Sequence, residues 1–257
     1  NIFDLTGKVA AVIGGASGIG EAVTRGAAAM GATVICLDVK ADVAEAVAKK
    51  IGGTATSGAL DITDAAAVER TMAEINAKYG HLDIVISTPS INVRKKMLDY
   101  LPGEIERVLN VNIIGNFNVL RAAGRIMVPQ RKGSIVLFSS IRSLVVEPGQ
   151  AVYSATKAGI LQLARGGATE FGPSGVRVNC VGPGVVETPL TAPIKANADW
   201  YNAYAAKNAF NRWASPDEMV GPTLFLASDA ASYVTGTILY ADGGWLAQDG
   251  RFTPPGM

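Results

Sequence analysis

The chain has 257 residues, of which 49% are hydrophobic and 18% charged, and its formal net charge is +1 at pH 7. This composition is typical of a globular protein with one large core, and the length fits a single α/β domain over residues 1–257. The balanced charge argues against nucleic-acid binding. Because no apolar run approaches the roughly 18 residues of a membrane span and the first residues lack a secretory-signal pattern, we expect a cytoplasmic protein without a membrane partner.

Strand-like apolar runs alternate with helical stretches along the chain. The runs are continuous in valine and isoleucine, which is typical of strands covered on both faces. The alternation predicts repeated βα units and a parallel sheet. The predicted strands are Val9–Ile13, Thr33–Leu37, Thr56–Leu60, Ile84–Ile86, Ser134–Phe138, Val176–Cys180 and Ile238–Tyr240.

Helices are predicted between the strands. Apolar residues at three- and four-residue spacing indicate helices at Ala41–Ile51 and Ala65–Tyr79, and Asp64 is the predicted N-cap of the second. Two connections, residues 88–101 and 182–215, are long for this alternation. Long loops at the carboxyl ends of parallel strands carry ligands in such folds, so both are predicted substrate loops. A solvated basic turn and an accessory helix pair are the alternative.

Cysteine and histidine usage restricts the chemistry. His81 is the single histidine, which excludes a two-histidine metal site, and we predict no metal and a solvent-facing turn position for it. Cys36 and Cys180 lie in apolar β-branched runs. They are predicted to be buried thiols rather than a disulfide.

A glycine-rich turn follows the first predicted strand. Its residues are Gly14-Gly15-Ala16-Ser17-Gly18-Ile19-Gly20, with a helical pattern from Glu21. Glycine permits a tight turn and lets the backbone approach a pyrophosphate, to which the helix N-terminus offers free amides. The spacing is not G-x-G-x-x-G, so a purely structural turn is the alternative. The strand–turn–helix context favours dinucleotide binding.

Asp38 bears on the choice of dinucleotide. It ends the second strand eighteen positions after Gly20, near the offset at which an acid binds the adenosine ribose. A carboxylate repels a 2′-phosphate, so NAD is predicted and NADP is less favoured, although Lys40 lies close by. Asp61, which ends the third strand, either reaches the adenine or caps a turn.

Tyr153 and Lys157 lie four positions apart on a predicted helix and share one face. This spacing is common, so two surface neighbours are the alternative. Beside a nicotinamide the pair has a purpose. To act as a base near neutrality, a phenol needs its pKa lowered by about 3 units, which takes about 4 kcal/mol of stabilisation of the phenolate. An ammonium about 6 Å away supplies roughly 3 kcal/mol at an effective dielectric of about 20. The rest is expected from the charge of the oxidised nicotinamide.

Over almost its whole length the chain resembles the short-chain dehydrogenase/reductase family. The motifs that carry the resemblance are the turn at 14–20, Asn110-Val111-Asn112, Ser140, Tyr153 with Lys157, Pro183-Gly184 with Thr188, and Asp242-Gly243-Gly244. The resemblance implies a Rossmann-like, doubly wound sheet of seven parallel strands with helices on both faces. It also implies a homotetramer in which the helices around 101–128 and 151–171 pack on their equivalents. The apolar tail at 251–255 is predicted to close a neighbour's site.

The resemblance also implies roles for the site residues. Tyr153 would be the general acid/base, and Ser140 would hydrogen-bond the reacting oxygen. Lys157 would lower the pKa of Tyr153 and hold the nicotinamide ribose, while Asn112 would position a water that links Lys157 to solvent. Val186 and Thr188 would contact the carboxamide. The predicted cofactor-binding residues are Gly14, Ser17, Gly18, Ile19, Gly20, Asp38, Asp61, Ile62, Thr88, Tyr153, Lys157, Pro183, Gly184, Val186 and Thr188.

The sequence departs from the family pattern at two places. Ile13 stands where the family usually has a threonine, whose hydroxyl ties the glycine turn to a neighbouring strand. Ser87-Thr88-Pro89-Ser90 stands where the family carries Asn-Asn-Ala-Gly, which braces the sheet through side-chain amides. The hydroxyls of Ser87 and Thr88 are the candidates to replace those amides.

The predicted reaction is reversible oxidation of a secondary alcohol to a ketone, with NAD taking the hydride. Similar family members include sugar, polyol and sugar-acid dehydrogenases such as gluconate 5-dehydrogenase. Arg94 and Arg142 suit a carboxylate, so with Tyr153 they are predicted to bind a small hydroxy substrate with an acid group. Alternatively, these cations face water or a subunit interface. Two other functions stay open: a reductase of 3-oxoacyl thioesters or of aromatic and apolar ketones, and a non-catalytic NAD-binding sensor.

Overall fold

A parallel sheet forms the centre of the molecule in the computed structural model, which describes residues 1–248. The predicted tail at 251–255 lies outside the described residues. The strands are β1 (Val9–Ile13), β2 (Thr33–Asp38), β3 (Thr56–Ala59), β4 (Ile84–Ser87), β5 (Gly133–Phe138), β6 (Val176–Pro183) and β7 (Ile238–Ala241). Within the described residues the sheet has seven strands in the order β3-β2-β1-β4-β5-β6-β7, and all neighbours are parallel. The predicted sheet is confirmed.

The largest difference from the predicted strands is at the end of β6. This strand continues three residues beyond the predicted end at Cys180, to Pro183. Val181 pairs with both neighbouring strands, and Gly182 and Pro183 continue the pairing with Tyr240 and Ala241 of β7. Pairing with β7 keeps the segment extended although glycine and proline disfavour strands.

Helices connect the strands. They are α1 (Gly18–Ala29), α2 (Ala41–Ile51), α3 (Ala65–Tyr79), α4 (Glu104–Leu109), α5 (Asn116–Gln130), α6 (Ala151–Phe171), α7 (Ala192–Lys195), α8 (Ala198–Ala205) and α9 (Val220–Ala227). The predicted bounds of α2 and α3 are confirmed, and the carboxylate of Asp64 caps α3 by accepting from the Ala67 amide at 3.0 Å. A π-helical turn, Asn110–Gly115, joins α4 to α5.

Two hydrophobic cores lie on opposite faces of the sheet, because successive strand residues point to opposite sides. In β1, Ala11 and Ile13 pack in the core that contains side chains of α3, α5 and α6. Ala10 and Val12 pack in the core that contains side chains of α1 and α9. The helices therefore cover both faces, as predicted.

The strand order reverses beside β1, which lies between β2 and β4. In doubly wound sheets such a reversal opens a crevice at the carboxyl ends of the strands. The predicted substrate loops leave from this same edge. The first follows β4 at residues 88–101, and the second begins at Gly184 and not at residue 182 as predicted, because Gly182 and Pro183 pair with β7. The second loop contains the short helices α7 and α8.

The cysteines and the histidine are placed close to expectation. Cys36 and Cys180 are buried free thiols, as predicted. His81 lies in the turn before β4 with its side chain 41% exposed, and its Nδ1 is 2.8 Å from Oδ2 of Asp83. Within residues 1–248, no helix has the length and apolar character needed to cross a membrane, and no cluster of histidine, cysteine or acidic residues is arranged to hold a metal.

The α3 cap gives a stability test. We expect Asp64→Ala to lower the free energy of unfolding by about 1 kcal/mol, because the Ala67 amide loses its acceptor. Asp64→Asn keeps a side-chain oxygen at the same position and should cost only a few tenths of that. Urea denaturation of the three proteins measures the difference. Equal losses for the two variants would contradict the capping role.

Candidate active site

The glycine turn at the end of β1 brings the chain back on itself. Gly14 and Gly18 have φ angles of +72° and +52°, a region that side chains disfavour. A Cβ on Gly20 would lie 2.0 Å from the carbonyl oxygen of Gly14, so only glycine fits there. Helix α1 begins at Gly18, and the side chain of Ser17 makes no capping bond. The first amides of α1 are thus available to an anion.

Thr88 braces this turn from the neighbouring strand β4. Its amide and its hydroxyl both donate to the carbonyl of Ile13, each at 3.0 Å, and the hydroxyl also lies 3.2 Å from the carbonyl of Gly14. Ser87 donates to Oδ1 of Asn116 at 2.8 Å. The sequence departs from the family pattern at Ile13 and at residues 87–90. At both places the hydroxyls of Ser87 and Thr88 make hydrogen bonds that hold the neighbouring segments together.

Asp38 is the last residue of β2, whereas Asp61 lies two residues beyond β3, which ends at Ala59 and not at Asp61 as predicted. Asp38 accepts from the amides of Ala16 and Lys40 at 3.3 and 3.1 Å, which holds its carboxylate against the glycine turn. Asp61 accepts from the amide and hydroxyl of Thr63 at 2.9 and 2.8 Å. Asp61 thus caps a turn and also lines a large cleft at this edge of the sheet. Capping a turn and contacting an adenine in that cleft are therefore both compatible with its position.

One cleft of about 600 Å³ is lined by every residue that the sequence predicts to bind the cofactor. The cleft starts at the glycine turn, passes the end of β4, and reaches Tyr153 and Lys157 on α6. Sequence reasoning missed several of its lining residues, among them Val39, Ser90 and Arg107. Val39 follows β2, Ser90 follows β4 and Arg107 lies in α4, and only the folded chain brings them together.

Ser140 is oriented by the turn in which it lies. Its Oγ accepts from the amide of Arg142 at 3.1 Å, so its own hydrogen is free to donate. The neighbouring Ser139 donates to the carbonyl of Lys157 at 2.8 Å and thereby fixes α6 to the end of β5. Ser140, Tyr153 and Lys157 all line the cleft.

Burial dominates the acid–base properties of the tyrosine and the lysine. It raises the pKa of Tyr153 to about 12, although the hydroxyls of Ser140 and Ser90 oppose the rise. It lowers the pKa of Lys157 to about 8. The ammonium donates to the carbonyl of Phe138 at 2.9 Å and lies 5.4 Å from the centre of the Tyr153 ring. The prediction that Lys157 supplies most of the lowering of the phenol pKa is not supported, because both groups lose their hydration.

Asn112 lies in the π-helical turn, and its side chain is engaged away from the cleft. It exchanges hydrogen bonds with the backbone of Ile91, both at 2.9 Å, and lies 3.0 Å from the hydroxyl of Thr156. The backbone carbonyl of Asn112 accepts a hydrogen bond from the side-chain amide of Asn116 at 3.0 Å. The structure thus shows Asn112 bracing the loop at 88–101 against α6, while its role toward a water stays a prediction.

A second cavity of about 260 Å³ shares Ser140 and Tyr153 with the cleft. Both predicted substrate residues, Arg94 and Arg142, line it, together with Trp200 and Tyr204. Most other aromatic side chains of the loop at 182–215 pack on one another, as in the stack of Tyr201 on Trp213 at 4.9 Å. Lys95 lies outside this cavity and pairs with Glu104 at 2.6 Å.

Glu147, which sequence reasoning missed, joins the two arginines. Its Oε2 is 2.6 Å from Nη2 of Arg142, and its Oε1 accepts from Arg94, Tyr204 and Gln150. Burial opposes ionisation, but the bonds from Tyr204 and Arg94 and the charge of Arg142 hold the pKa of Glu147 below its usual value. An acid between Ser140 and Tyr153 was the only signal in the sequence, and its partners are distant along the chain.

Known proteins resemble this chain over nearly its full length. A family model described as enoyl-(acyl carrier protein) reductase matches residues 14–246. A 3-oxoacyl-[acyl-carrier-protein] reductase of Thermotoga maritima is 35% identical over 243 residues, which are 93% of this chain and 98% of that protein. A cis-4-hydroxycyclohexanecarboxylate dehydrogenase of Sinomonas cyclohexanicum is 38% identical over 244 residues, which are 93% of this chain and 97% of that protein.

A solved structure shares the fold and carries ligands. It is a gluconate 5-dehydrogenase from Burkholderia cenocepacia in complex with NADP and tartrate, with a TM-score of 0.91, 29% identity, and coverage of 96% of this chain and 98% of that chain. These relatives include both enzyme classes that the sequence left open. Because the solved relative holds NADP, family likeness gives no reason to rank NADP below NAD.

The buried lysine gives a pH test in the cofactor-free protein. Its pKa is about 8 in the folded state against an ordinary 10.5, so the unfolded chain binds more protons between these values. We therefore expect the free energy of unfolding of wild type, taken relative to that of Lys157→Met, to rise with pH across this window by up to about 3 kcal/mol. The opposite contribution of the buried thiols Cys36 and Cys180, whose pKa values are raised, is present in both proteins. Urea denaturation at several pH values measures this, with Lys49→Met as the control for loss of an exposed lysine. Parallel curves for wild type and Lys157→Met would refute the assignment.

Proposed function

Because the chain belongs to the short-chain dehydrogenase/reductase family, we propose that it interconverts a secondary alcohol and a ketone with a nicotinamide dinucleotide. The proposed substrate is a small polar hydroxy compound that carries an acid group. One observation carries the proposal: Ser140 and Tyr153 line both the dinucleotide cleft and the cavity that holds Arg94 and Arg142. A molecule in that cavity meets the reacting hydroxyls and two guanidinium groups together.

The glycine turn, the free amides of α1 and the carboxylate of Asp38 fit a dinucleotide. The amides suit its pyrophosphate, and Asp38 suits the adenosine ribose. Tyr153 and Lys157 would hold the nicotinamide ribose, and Val186 and Thr188 would orient the carboxamide. When bound, the nicotinamide supplies hydride transfer.

The chain's own residues would handle the proton. During oxidation Tyr153 takes the proton from the carbinol oxygen, and during reduction it returns that proton. Ser140 donates its free hydrogen to the same oxygen. Positive charge favours the phenolate form: the charges of Arg142 and Arg94 lower the pKa of Tyr153, and the charges of Lys157 and of a bound oxidised nicotinamide would add to this effect. Asn112 is proposed to hold the water through which Lys157 exchanges protons with solvent.

The second candidate is reduction of a 3-oxoacyl thioester, which the Thermotoga relative supports. The small volume of the second cavity and its two arginines favour the small acid instead. A sensor without turnover has no need for Ser140, Tyr153 and Lys157 to meet in one cleft.

The homotetramer also stays a proposal, supported by the exposed apolar residues Leu109, Ile114 and Phe117 between the start of α4 and the first turn of α5. A cytoplasmic location rests on the sequence prediction alone.

Replacing the phenol tests the reaction. We expect Tyr153→Phe to lower turnover by about 100- to 10,000-fold, because the carbinol proton loses its acceptor. Absorbance of the reduced nicotinamide, followed with a panel of hydroxy acids, polyols and 3-oxoacyl thioesters, measures it. Cofactor affinity is measured alongside, and Tyr201→Phe is the matched control outside the cavity. Undiminished turnover in folded Tyr153→Phe would overturn the proposal.

We propose that NAD is preferred because Asp38 repels a 2′-phosphate, with NADP as the competing outcome. Asp38→Ala should then lower the preference for NAD, measured as kcat/KM with NAD divided by kcat/KM with NADP, by about tenfold or more. Asp42→Ala, at an exposed acid in the next helix, is the control and should leave the ratio unchanged. A wild-type preference for NADP would refute the role given to Asp38.

A further inference from the structure

Glu147 lies behind the two arginines of the second cavity. Arg94 and Arg142 line that cavity, whereas Glu147 does not. The carboxylate is only 20% exposed and accepts from four donors, the two guanidinium groups, Gln150 and Tyr204. A carboxylate so occupied has little capacity left for a ligand. Its contacts instead fix where the guanidinium groups lie.

Both arginines keep donors for a ligand. A guanidinium has five N–H donors. Among residues 1–248, the side-chain bonds of Arg142 involve Nη2 with Glu147, and those of Arg94 involve Nη1 with Glu147 and Tyr204. The remaining nitrogen atoms make no further hydrogen bond with this part of the chain. They belong to side chains that line a cavity beside Ser140 and Tyr153.

The charges of this group do not cancel. Two guanidinium groups face one carboxylate, which leaves one positive charge beside the cavity. The other described residues that line the cavity include no acid and no lysine. One ligand carboxylate therefore completes the charge balance, whereas a second would add an uncompensated negative charge in a partly buried site.

We infer that Glu147 sets the charge selectivity of the substrate site, so that the site takes a hydroxy acid with one negative charge in preference to a dianion. This inference rests on the proposed function, since it takes the second cavity as the substrate site. It makes Glu147 a positioning and specificity-determining residue, because it acts through Arg94 and Arg142 and does not contact the substrate.

The test uses three ligands with one carbon skeleton: tartrate with two carboxylates, its monoamide with one, and its diamide with none. Their dissociation constants are measured by calorimetry with the protein saturated with NAD or NADP, whichever binds more tightly. Because the cofactor is the same in every arm, the effect of its charge on a given affinity ratio is the same in each protein variant, so the change of that ratio between variants reports the protein's own charges. Wild type should bind the monoamide at least as tightly as tartrate, and about tenfold or more tightly than the diamide.

Two substitutions shift the balance in opposite directions. Glu147→Gln keeps an oxygen acceptor but leaves two uncompensated cations, so the affinity ratio should move toward tartrate by about tenfold. Arg94→Gln removes the net positive charge, so the advantage of the monoamide over the diamide should largely disappear. Glu104→Gln is the matched control. It removes a carboxylate that pairs with Lys95 outside the cavity, so it should change neither affinity ratio.

Three results would overturn the inference: a wild-type preference for tartrate of tenfold or more, equal binding of the diamide, or an unchanged ratio in folded Glu147→Gln. Should Glu147→Gln fail to fold because Arg142 loses its partner, the wild-type series and Arg94→Gln decide the matter. If the three ligands bind with the expected affinity ratios but the protein oxidises no alcohol, the result counts against the proposed function and not against the role of Glu147. Turnover with charge-independent binding would count against the role of Glu147 alone.

Discussion

The parallel direction of all seven described strands is the constraint on which the site depends. It places the carboxyl end of every strand at one edge of the sheet, and the reversal of strand order beside β1 opens a crevice at that edge. The glycine turn, Asp38, Thr88 and Ser140 follow four different strands, yet all line one cleft. Side chains on connections that are distant along the chain thus meet because the strands end together.

Close approach of backbone segments at this edge imposes a second requirement. Gly20 faces the carbonyl of Gly14 with no space for a Cβ, and the hydroxyl of Thr88 ties the same turn to β4. This hydroxyl comes from the residue after β4, whereas a threonine at position 13 would carry its hydroxyl on β1. The turn is held all the same, because a hydroxyl can donate to a backbone carbonyl from either strand.

Burial governs the charged groups of the two cavities in different ways. For Tyr153 and Lys157 burial is the largest influence, and it outweighs the charges of Arg142 and Arg94 on the phenol, so it disfavours the charged form of each group and moves their pKa values apart. Arg94 and Arg142 share the carboxylate of Glu147, which keeps its charge because it accepts several hydrogen bonds. The protonation of Tyr153 and Lys157 is therefore sensitive to an added charge, whereas the arginine pair is held in place.

The sequence by itself determined the sheet, the bounds of α2 and α3, and the glycine turn and many other residues of the large cleft, because these follow from local periodicity and from motifs that act through backbone geometry. It singled out Arg94 and Arg142, which line the second cavity, but did not reveal Glu147, and it predicted a phenol made acidic by Lys157. Only the tertiary structure decided these points. Ion pairing and pKa values depend on burial and on neighbours distant along the chain, such as Tyr204 against Glu147, which no local pattern records.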